Sequence, residues 1–190
     1  MFALSNNHVY ANENSALIDS DVVLQPGRFD GGSVATDSIG VLSDFQSIIF
    51  SRSAANVVDA AIAISSTQEL GNKTPPDGYG MPRSTTIAAE PGMPVMKYGR
   101  TTGQTQGTVD AINVTVDVGF DAGVARFVRQ IAIRGGGFSK GGDSGSLVVA
   151  SGGADDRKPV GLLFAGGRGA TFANPIDEVL ATFSIVIDGD

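Results

Sequence analysis

The chain contains no cysteine, no tryptophan and one histidine, and each shortage excludes a class of protein. Without cysteine there are no disulfides, no thiolate zinc sites and no cysteine nucleophile. A single histidine makes a histidine-based metal site implausible, so we expect neither a metal ion nor another cofactor. The cysteine count leaves the cellular compartment open.

Positive charge and long apolar runs are also scarce. Lys and Arg number 13 against 20 Asp and Glu, which gives a net charge of −7 at pH 7. Because phosphate binding needs a basic face, this balance argues against a nucleic-acid partner. No apolar run reaches the ~18 residues that span a bilayer, and the first residues lack the pattern of a signal peptide. We therefore expect a soluble chain without membrane association, of undetermined localisation.

Glycine and short β-type runs are abundant. The 26 glycines among 190 residues are about twice the average usage, and Val, Ile, Thr and Phe recur between turn residues, which predicts an all-β protein. The predicted strands are 2–5, 21–25, 34–42, 45–50, 56–64, 95–100, 107–118, 125–133, 146–150, 159–165 and 170–173. Asn174 is predicted to cap a short C-terminal helix that Pro175 opens.

Residues 71–93 predict a connector, since they hold four prolines and several glycines with little apolar periodicity. This divides the chain into an N-terminal lobe, residues 1–70, and a C-terminal lobe, residues 94–190.

The main candidate for a catalytic segment is Gly142-Asp143-Ser144-Gly145-Ser146, which precedes an apolar run. A serine hydroxyl is a poor nucleophile unless a base takes its proton and nearby donors receive the charge on the substrate oxygen. Glycine gives a substrate access to the backbone, so the N–H groups of Gly142 and Ser144 can form an oxyanion hole. A Gly/Ser cluster by itself is more often only a surface turn.

Two further residues support the catalytic interpretation. The only histidine is His8, and Asp59 interrupts the apolar run 56–64. A carboxylate there is costly unless it is paired, so Asp59 either lies at an exposed strand end or orients a histidine. The chain order His8, Asp59, Ser144 differs from the orders of α/β-hydrolases and of subtilisin-type enzymes.

These three segments resemble the trypsin/chymotrypsin-like serine peptidases, and more closely their bacterial trypsin-like branch. Residues 7–9 look like the histidine turn, 58–62 like the strand of the acid, and 142–147 like the nucleophile loop. Residues 160–167 resemble the strand that pairs with bound peptide in that family, and 97–103 match the opening of the second barrel more weakly.

The resemblance implies a double six-stranded β-barrel and a serine endopeptidase that acts on peptide or protein substrates. His8 would be the base, Asp59 its orienting acid and Ser144 the nucleophile. The family likeness places the primary substrate pocket at Phe138, Ser139, Phe164, Ala165 and Gly166. Phe138 stands where trypsin has an acid, so we expect cleavage after small or apolar residues.

Two departures from the family pattern carry expectations of their own. Only seven residues precede His8, so the first barrel should lack about two N-terminal strands, which predicts self-association or complementation by a separate segment. The N-terminus does not resemble that of an activated zymogen, so Asp143 needs other partners. The candidates are the backbone amides of 135–142 and the side chains of Arg134, Lys140 and Arg168.

Two alternatives to a peptidase stay open. One is a catalytically silent double-barrel module that binds peptide by strand addition along residues 161–166. The other is an esterase that uses the same three residues without cleaving peptides.

Overall fold

The computed structural model describes residues 1–167 and 169–190, which form ten β-strands and two α-helices. The strands are β1 (Phe2–Ser5), β2 (Val22–Leu24), β3 (Ser38–Phe45), β4 (Ala61–Ile64), β5 (Pro94–Gly99), β6 (Gly103–Phe120), β7 (Gly123–Arg134), β8 (Leu147–Ala150), β9 (Pro159–Gly167) and β10 (Ala170–Pro175). The helices are α1 (Asn7–Tyr10) and α2 (Ile176–Phe183). The predicted all-β class with a short C-terminal helix is confirmed. No helix among the described residues is long and apolar enough to cross a membrane.

The first sheet contains four of these strands in the order β1-β4-β3-β2, with antiparallel pairing throughout. The side chains of Ala3, Val23 and Ala63 form one buried cluster, and those of Leu42 and Ala61 belong to another. Because β1 and β2 lie at its two edges, this sheet is open, in agreement with the expectation of a first barrel short of strands.

The second sheet is a closed barrel in the order β10-β7-β6-β5-β8-β9. Closure pairs each strand on both sides, so no edge is left exposed. Its core includes Val95, Val109, Ile133, Val148 and Leu163, whose side chains are at most 2% exposed. Burying an aliphatic side chain of this kind stabilises a fold by about 1.5–3 kcal/mol.

The two sheets meet along the segment that precedes β4. Asn56 forms a parallel bridge with Phe127 of β7, and Val58 packs with Leu162, Ile176 and other residues around α2. The stretch that leads to Asp59 therefore rests on the second barrel rather than on its own sheet.

The structure corrects several predicted strands. β3 begins at Ser38 and ends at Phe45, and the separate strand predicted at 45–50 does not form. Side-chain amides bond this stretch instead, because Asn14 exchanges two hydrogen bonds with Ile48 and Asn56 exchanges two with Ile49. Within 45–50 only Ile48 is buried, while Ile49 is 63% exposed, so the apolar run indicates neither a strand nor a continuous buried face. The strand predicted at 56–64 shortens to β4 for a similar reason. Asn56 forms a single bridge to β7, and buried side-chain amides of the second barrel bond Val57 and Asp59.

Candidate active site

His8 and Asp59 form a close hydrogen-bonded pair. His8 lies in α1 directly after β1, and its Nδ1 is 2.6 Å from Asp59 Oδ2. The His8 backbone N–H donates to Asp59 Oδ1 at 3.2 Å. Asp59 is fully buried, whereas 21% of the His8 side chain is exposed. Asp59 therefore does not lie at an exposed strand end but is buried beside the histidine.

This pairing determines which histidine nitrogen can act as a base. With the Nδ1 proton directed to Asp59, Nε2 is left as the acceptor on the other side of the ring. The ring is held from the second barrel by Phe120 at the end of β6, with ring centroids 5.8 Å apart. Glu13 also joins the loop after α1 to the second barrel. Its carboxylate accepts hydrogen bonds from the backbone N–H groups of Asp121 and Ala122, in the turn between β6 and β7.

The turn that carries Ser144 depends on two glycines in the left-handed region. Gly142 has φ +95° and Gly145 has φ +86°, conformations that L side chains rarely adopt. A Cβ at Gly145 would also overlap the Ser5 hydroxyl, so the turn packs closely on the end of β1, three residues before His8. Within the described chain, the N–H groups of Gly142 and Ser144 donate to no backbone carbonyl. Ser144 lines the same cavity as His8, and Gly142 is not among the residues that line it.

His8 and Ser144 line one cavity of about 710 Å³. The five residues of the predicted substrate pocket, Phe138, Ser139, Phe164, Ala165 and Gly166, line the same cavity. The rings of Phe138 and Phe164 are 2% and 3% exposed and pack mainly into hydrophobic clusters. Among the described residues, the His8 ring bonds to Asp59 and makes no hydrogen bond to the Ser144 hydroxyl.

Thr171 is a cavity residue that the sequence did not reveal. Its hydroxyl oxygen lies 2.6 Å from Ser139 Oγ, and both residues line the cavity. Thr171 lies on β10, which pairs with β9, so only the barrel topology brings it to this wall.

Asp143, next to Ser144, is buried in a dense set of donors. Its carboxylate accepts hydrogen bonds from the backbone N–H groups of Thr101, Thr102 and Lys140 and from the Thr102 hydroxyl, at 2.8 to 3.1 Å. Burial alone would raise the pKa of Asp143, but these hydrogen bonds lower it below its usual value. The predicted bond from the 135–142 backbone is thus present, through the Lys140 N–H.

The cation beside Asp143 is one that the sequence analysis missed. The Nζ of Lys97, a fully buried side chain on β5, is 3.4 Å from Asp143 Oδ2 and also bonds Thr102 Oγ1 and the Gly103 carbonyl. Burial lowers the pKa of Lys97, while the charge of Asp143 acts in the opposite direction. Val95, Met96 and Lys97 are consecutive buried positions of β5, so a lysine within an apolar predicted strand was the available signal.

Neither Arg134 nor Lys140 takes this role through its side chain. Arg134 pairs with Asp110 at the surface, with 3.4 Å between Nη1 and Oδ1. Lys140 contributes its backbone N–H rather than an ion pair. Arg168 lies outside the described residues.

Comparison with known proteins adds information at the level of the fold. Neither protein-family models nor curated protein sequences match the chain. Among solved structures, it is similar to a glutamic acid-specific serine protease (TM-score 0.62, 22% identity, covering 98% of this chain and 86% of that one). Nocardiopsis protease gives a TM-score of 0.62 at 20% identity, covering 96% and 83%. Cellulomonas bogoriensis chymotrypsin gives 0.60 at 21%, covering 84% and 80%. The chain therefore has the fold of the bacterial trypsin/chymotrypsin-like serine proteases.

Proposed function

We propose that this protein is a serine endopeptidase that cleaves peptide bonds through an acyl-enzyme. The observation that carries the proposal is the 2.6 Å bond between His8 Nδ1 and buried Asp59 Oδ2, on a cavity that Ser144 also lines. A desolvated acid fixes the imidazole tautomer and orientation, and the opposite nitrogen is then free to serve as a base. The protease fold of the neighbouring structures supports the same reaction class.

The proposed mechanism assigns one task to each residue. Ser144 Oγ attacks the scissile carbonyl while His8 Nε2 takes its proton, and Asp59 stabilises the imidazolium that forms. The N–H groups of Gly142 and Ser144 receive the oxyanion, each donor contributing about 3 kcal/mol. Collapse of the intermediate expels the amine, which takes the proton from His8, and water then hydrolyses the acyl-enzyme by the same steps.

We further propose that the substrate residue before the scissile bond is small or apolar. Phe138 offers a ring packed in the core rather than a carboxylate, so nothing at that position would attract Lys or Arg. The histidine triad with which the glutamic acid-specific neighbour binds substrate has no counterpart here, because the chain has one histidine and it faces Asp59. Cleavage of a peptide library should show this preference, and a strict Lys/Arg or Glu preference would contradict it.

Covalent labelling tests the proposed activity. A fluorophosphonate should label the parent protein, and Ser144→Ala should abolish the label. Ser146→Ala is a matched control in the same turn, since the Ser146 hydroxyl is buried and donates to the Asp143 carbonyl at 2.6 Å. It should retain the label.

Peptide binding without labelling would favour the silent peptide-binding module, which the missing His8–Ser144 hydrogen bond also allows. Ester turnover without peptide cleavage would indicate an esterase.

We also propose that the open first sheet mediates self-association. β1 is an edge strand, and Phe2 and Ile64 expose 42% and 54% of their surface beside it. An antiparallel edge is self-complementary, so a second copy can extend the sheet about a two-fold axis. Light scattering over a dilution series should show a dimer that Phe2→Pro disrupts, because the Phe2 N–H faces the free edge of β1, whereas the Ala3 N–H faces β4. A monomer at all concentrations, or a bound separate peptide, would overturn this.

A further inference from the structure

We propose that Asn174 and Gln130 are positioning residues that hold Asp59, and through it His8, on the barrel that carries Ser144. This inference rests on the proposed serine endopeptidase function. Both side chains are fully buried, and neither lines the cavity. Neither residue was a candidate for the site in the sequence.

The two amides form a continuous chain of hydrogen bonds that ends at Asp59. Asn174 Oδ1 accepts the Asp59 backbone N–H at 3.0 Å. Asn174 Nδ2 donates to Gln130 Oε1 at 2.7 Å. Gln130 Nε2 in turn donates to the carbonyls of Val57 at 2.9 Å and Val128 at 2.6 Å. The donors and acceptors of both amide groups are thus used. Both side chains bond the segment that ends at Asp59, since Asn174 Nδ2 also donates to the Val57 carbonyl at 3.2 Å.

A third amide holds the other side of the same residue. Asn6 Nδ2, two residues before His8, donates to the Asp59 carbonyl at 2.8 Å. The Asp59 main chain is therefore bonded by a first-sheet side chain on its carbonyl and by a second-barrel side chain on its N–H. Because an aspartate side chain has only two rotatable bonds, its main-chain position largely decides where the carboxylate lies.

This arrangement addresses a problem that the fold creates. His8 follows β1 and Asp59 precedes β4 of the open first sheet, whereas Ser144 lies in the turn before β8 of the closed barrel. The proposed catalysis therefore depends on how these segments are placed relative to each other. Apolar contacts such as Val58 against Ile176 and Leu162 bury the interface, but they have no direction. The Asn174 bond to the Asp59 N–H is directional, and it originates on β10, the strand beside the β9 cavity wall.

The local structure explains why Asn174 is free for this role. The sequence predicted it as the cap of α2, but the N-cap is Pro175 and no side chain caps that helix. Asn174 instead lies on β10, and its side chain points to the Asp59 segment. The capping prediction was wrong because a polar residue before Pro175 can either cap a helix or form a hydrogen bond across an interface. In the folded protein Asn174 bonds Asp59 across the interface.

The test compares two variants of this pair with a matched control. Asn174→Ala removes the acceptor for the Asp59 N–H, and Gln130→Met removes its support while keeping the side-chain volume. The control is Asn56→Ala, because Asn56 is another buried amide that joins the same segment to β7, through the Arg126 carbonyl at 2.9 Å, without touching Asp59.

The kinetic readout separates positioning from stability. Since a misplacement of about 1 Å can cost ~100-fold in rate, we expect Asn174→Ala to lower kcat by roughly 10- to 100-fold with KM changed less than about 2-fold. Gln130→Met should lower kcat less, and the double variant should cost no more than Asn174→Ala, because the two act as one unit. Asn56→Ala should lower the unfolding temperature comparably but keep kcat within about 3-fold.

A second readout does not depend on activity. The chain has one histidine, so the imidazole proton in the 2.6 Å bond to Asp59 gives a single, assignable downfield NMR resonance. Asn174→Ala should shift or broaden this resonance, and Asn56→Ala should leave it in place. If Asn174→Ala fails to fold, Gln130→Met carries the same test.

The inference is overturned if kcat and the resonance in the Asn174 and Gln130 variants change no more than in Asn56→Ala. If the parent protein has no peptidase activity, the proposed function fails. The NMR comparison then still decides whether Asn174 holds the His8–Asp59 pair.

Discussion

The first sheet and the second barrel support their parts of the site in different ways. The barrel closes on itself, so its six strands satisfy one another and enclose an apolar core. The first sheet is open, and its loops are held largely by side-chain amides, among them Asn7, which bonds Asn14 and the Gln46 carbonyl. The half that carries Ser144 is therefore largely self-supporting, whereas the half that carries His8 and Asp59 relies on contact with the other.

The largest expected loss of activity comes from substituting a proposed catalytic residue in either half. Ser144→Ala, His8→Ala and Asp59→Asn should each lower kcat/KM by roughly 10⁴-fold or more, since three residues that act as one unit lose most of their effect with the first removal. The double variant His8→Ala/Ser144→Ala should be nearly as active as either single one. Additive losses in steady-state kinetics would show that the two halves act independently.

A smaller effect is expected where the two halves touch. Gly145→Ala places a methyl group against the Ser5 hydroxyl and forces a side chain into φ +86°, which should displace Ser144 and lower kcat by about 100-fold. Gly141→Ala is the control, because a Cβ there meets no atom within 4 Å. Equal kcat values for the two variants would exclude the contact between Ser5 and Gly145 as a determinant of the site.

Next comes the stability of the barrel half. Lys97→Met leaves the Asp143 carboxylate buried without its cation, which should destabilise the protein by about 3–5 kcal/mol. Equilibrium urea unfolding at neutral pH measures this. Lys140→Met removes an exposed cation that makes no ion pair in the described chain and should change stability by less than about 0.5 kcal/mol. Similar values for the two variants would contradict the assignment of Lys97.

The smallest effect concerns pH. The pKa of Asp143 is lower in the folded protein than in the unfolded chain, so below the unfolded value of about 3.9 the unfolded state binds the proton first. The stability that Asp143 provides is present above that pH and is lost as the pH falls through the lower folded pKa. Asp143→Asn should flatten the pH dependence of the unfolding free energy between pH 5 and 2. An unchanged slope would contradict the hydrogen bonds assigned to this carboxylate.

Sequence alone predicted much of the fold, because short strands and turn residues report local geometry. It also selected His8, Asp59 and Ser144, which the structure brings to one region, with the first two bonded and the third on the shared cavity. Their catalytic roles, and the division of the chain at 71–93, stay predictions.

The misses share a physical origin. Lys97, Thr171 and Asn174 take their roles from residues that are distant in sequence, such as Asp143 for Lys97 and Asp59 for Asn174. Periodicity and capping rules describe neighbours along the chain, so they cannot assign a polar residue whose partner lies across a barrel. The same limit explains why no strand forms at 45–50. The backbone N–H groups of Ile48 and Ile49 bond the side chains of Asn14 and Asn56, where a strand would bond the backbone of a neighbouring strand.

The most direct test of the central proposal is to trap the acyl-enzyme. The protein is mixed with a peptide ester bearing a small apolar residue before the scissile bond, quenched in acid within one turnover, and mapped by mass spectrometry. We predict one acyl group per chain, on Ser144, with none in His8→Ala or Ser144→Ala and a normal amount in Ser146→Ala. An acyl group on another residue, or turnover that persists in Ser144→Ala, would contradict the proposed mechanism.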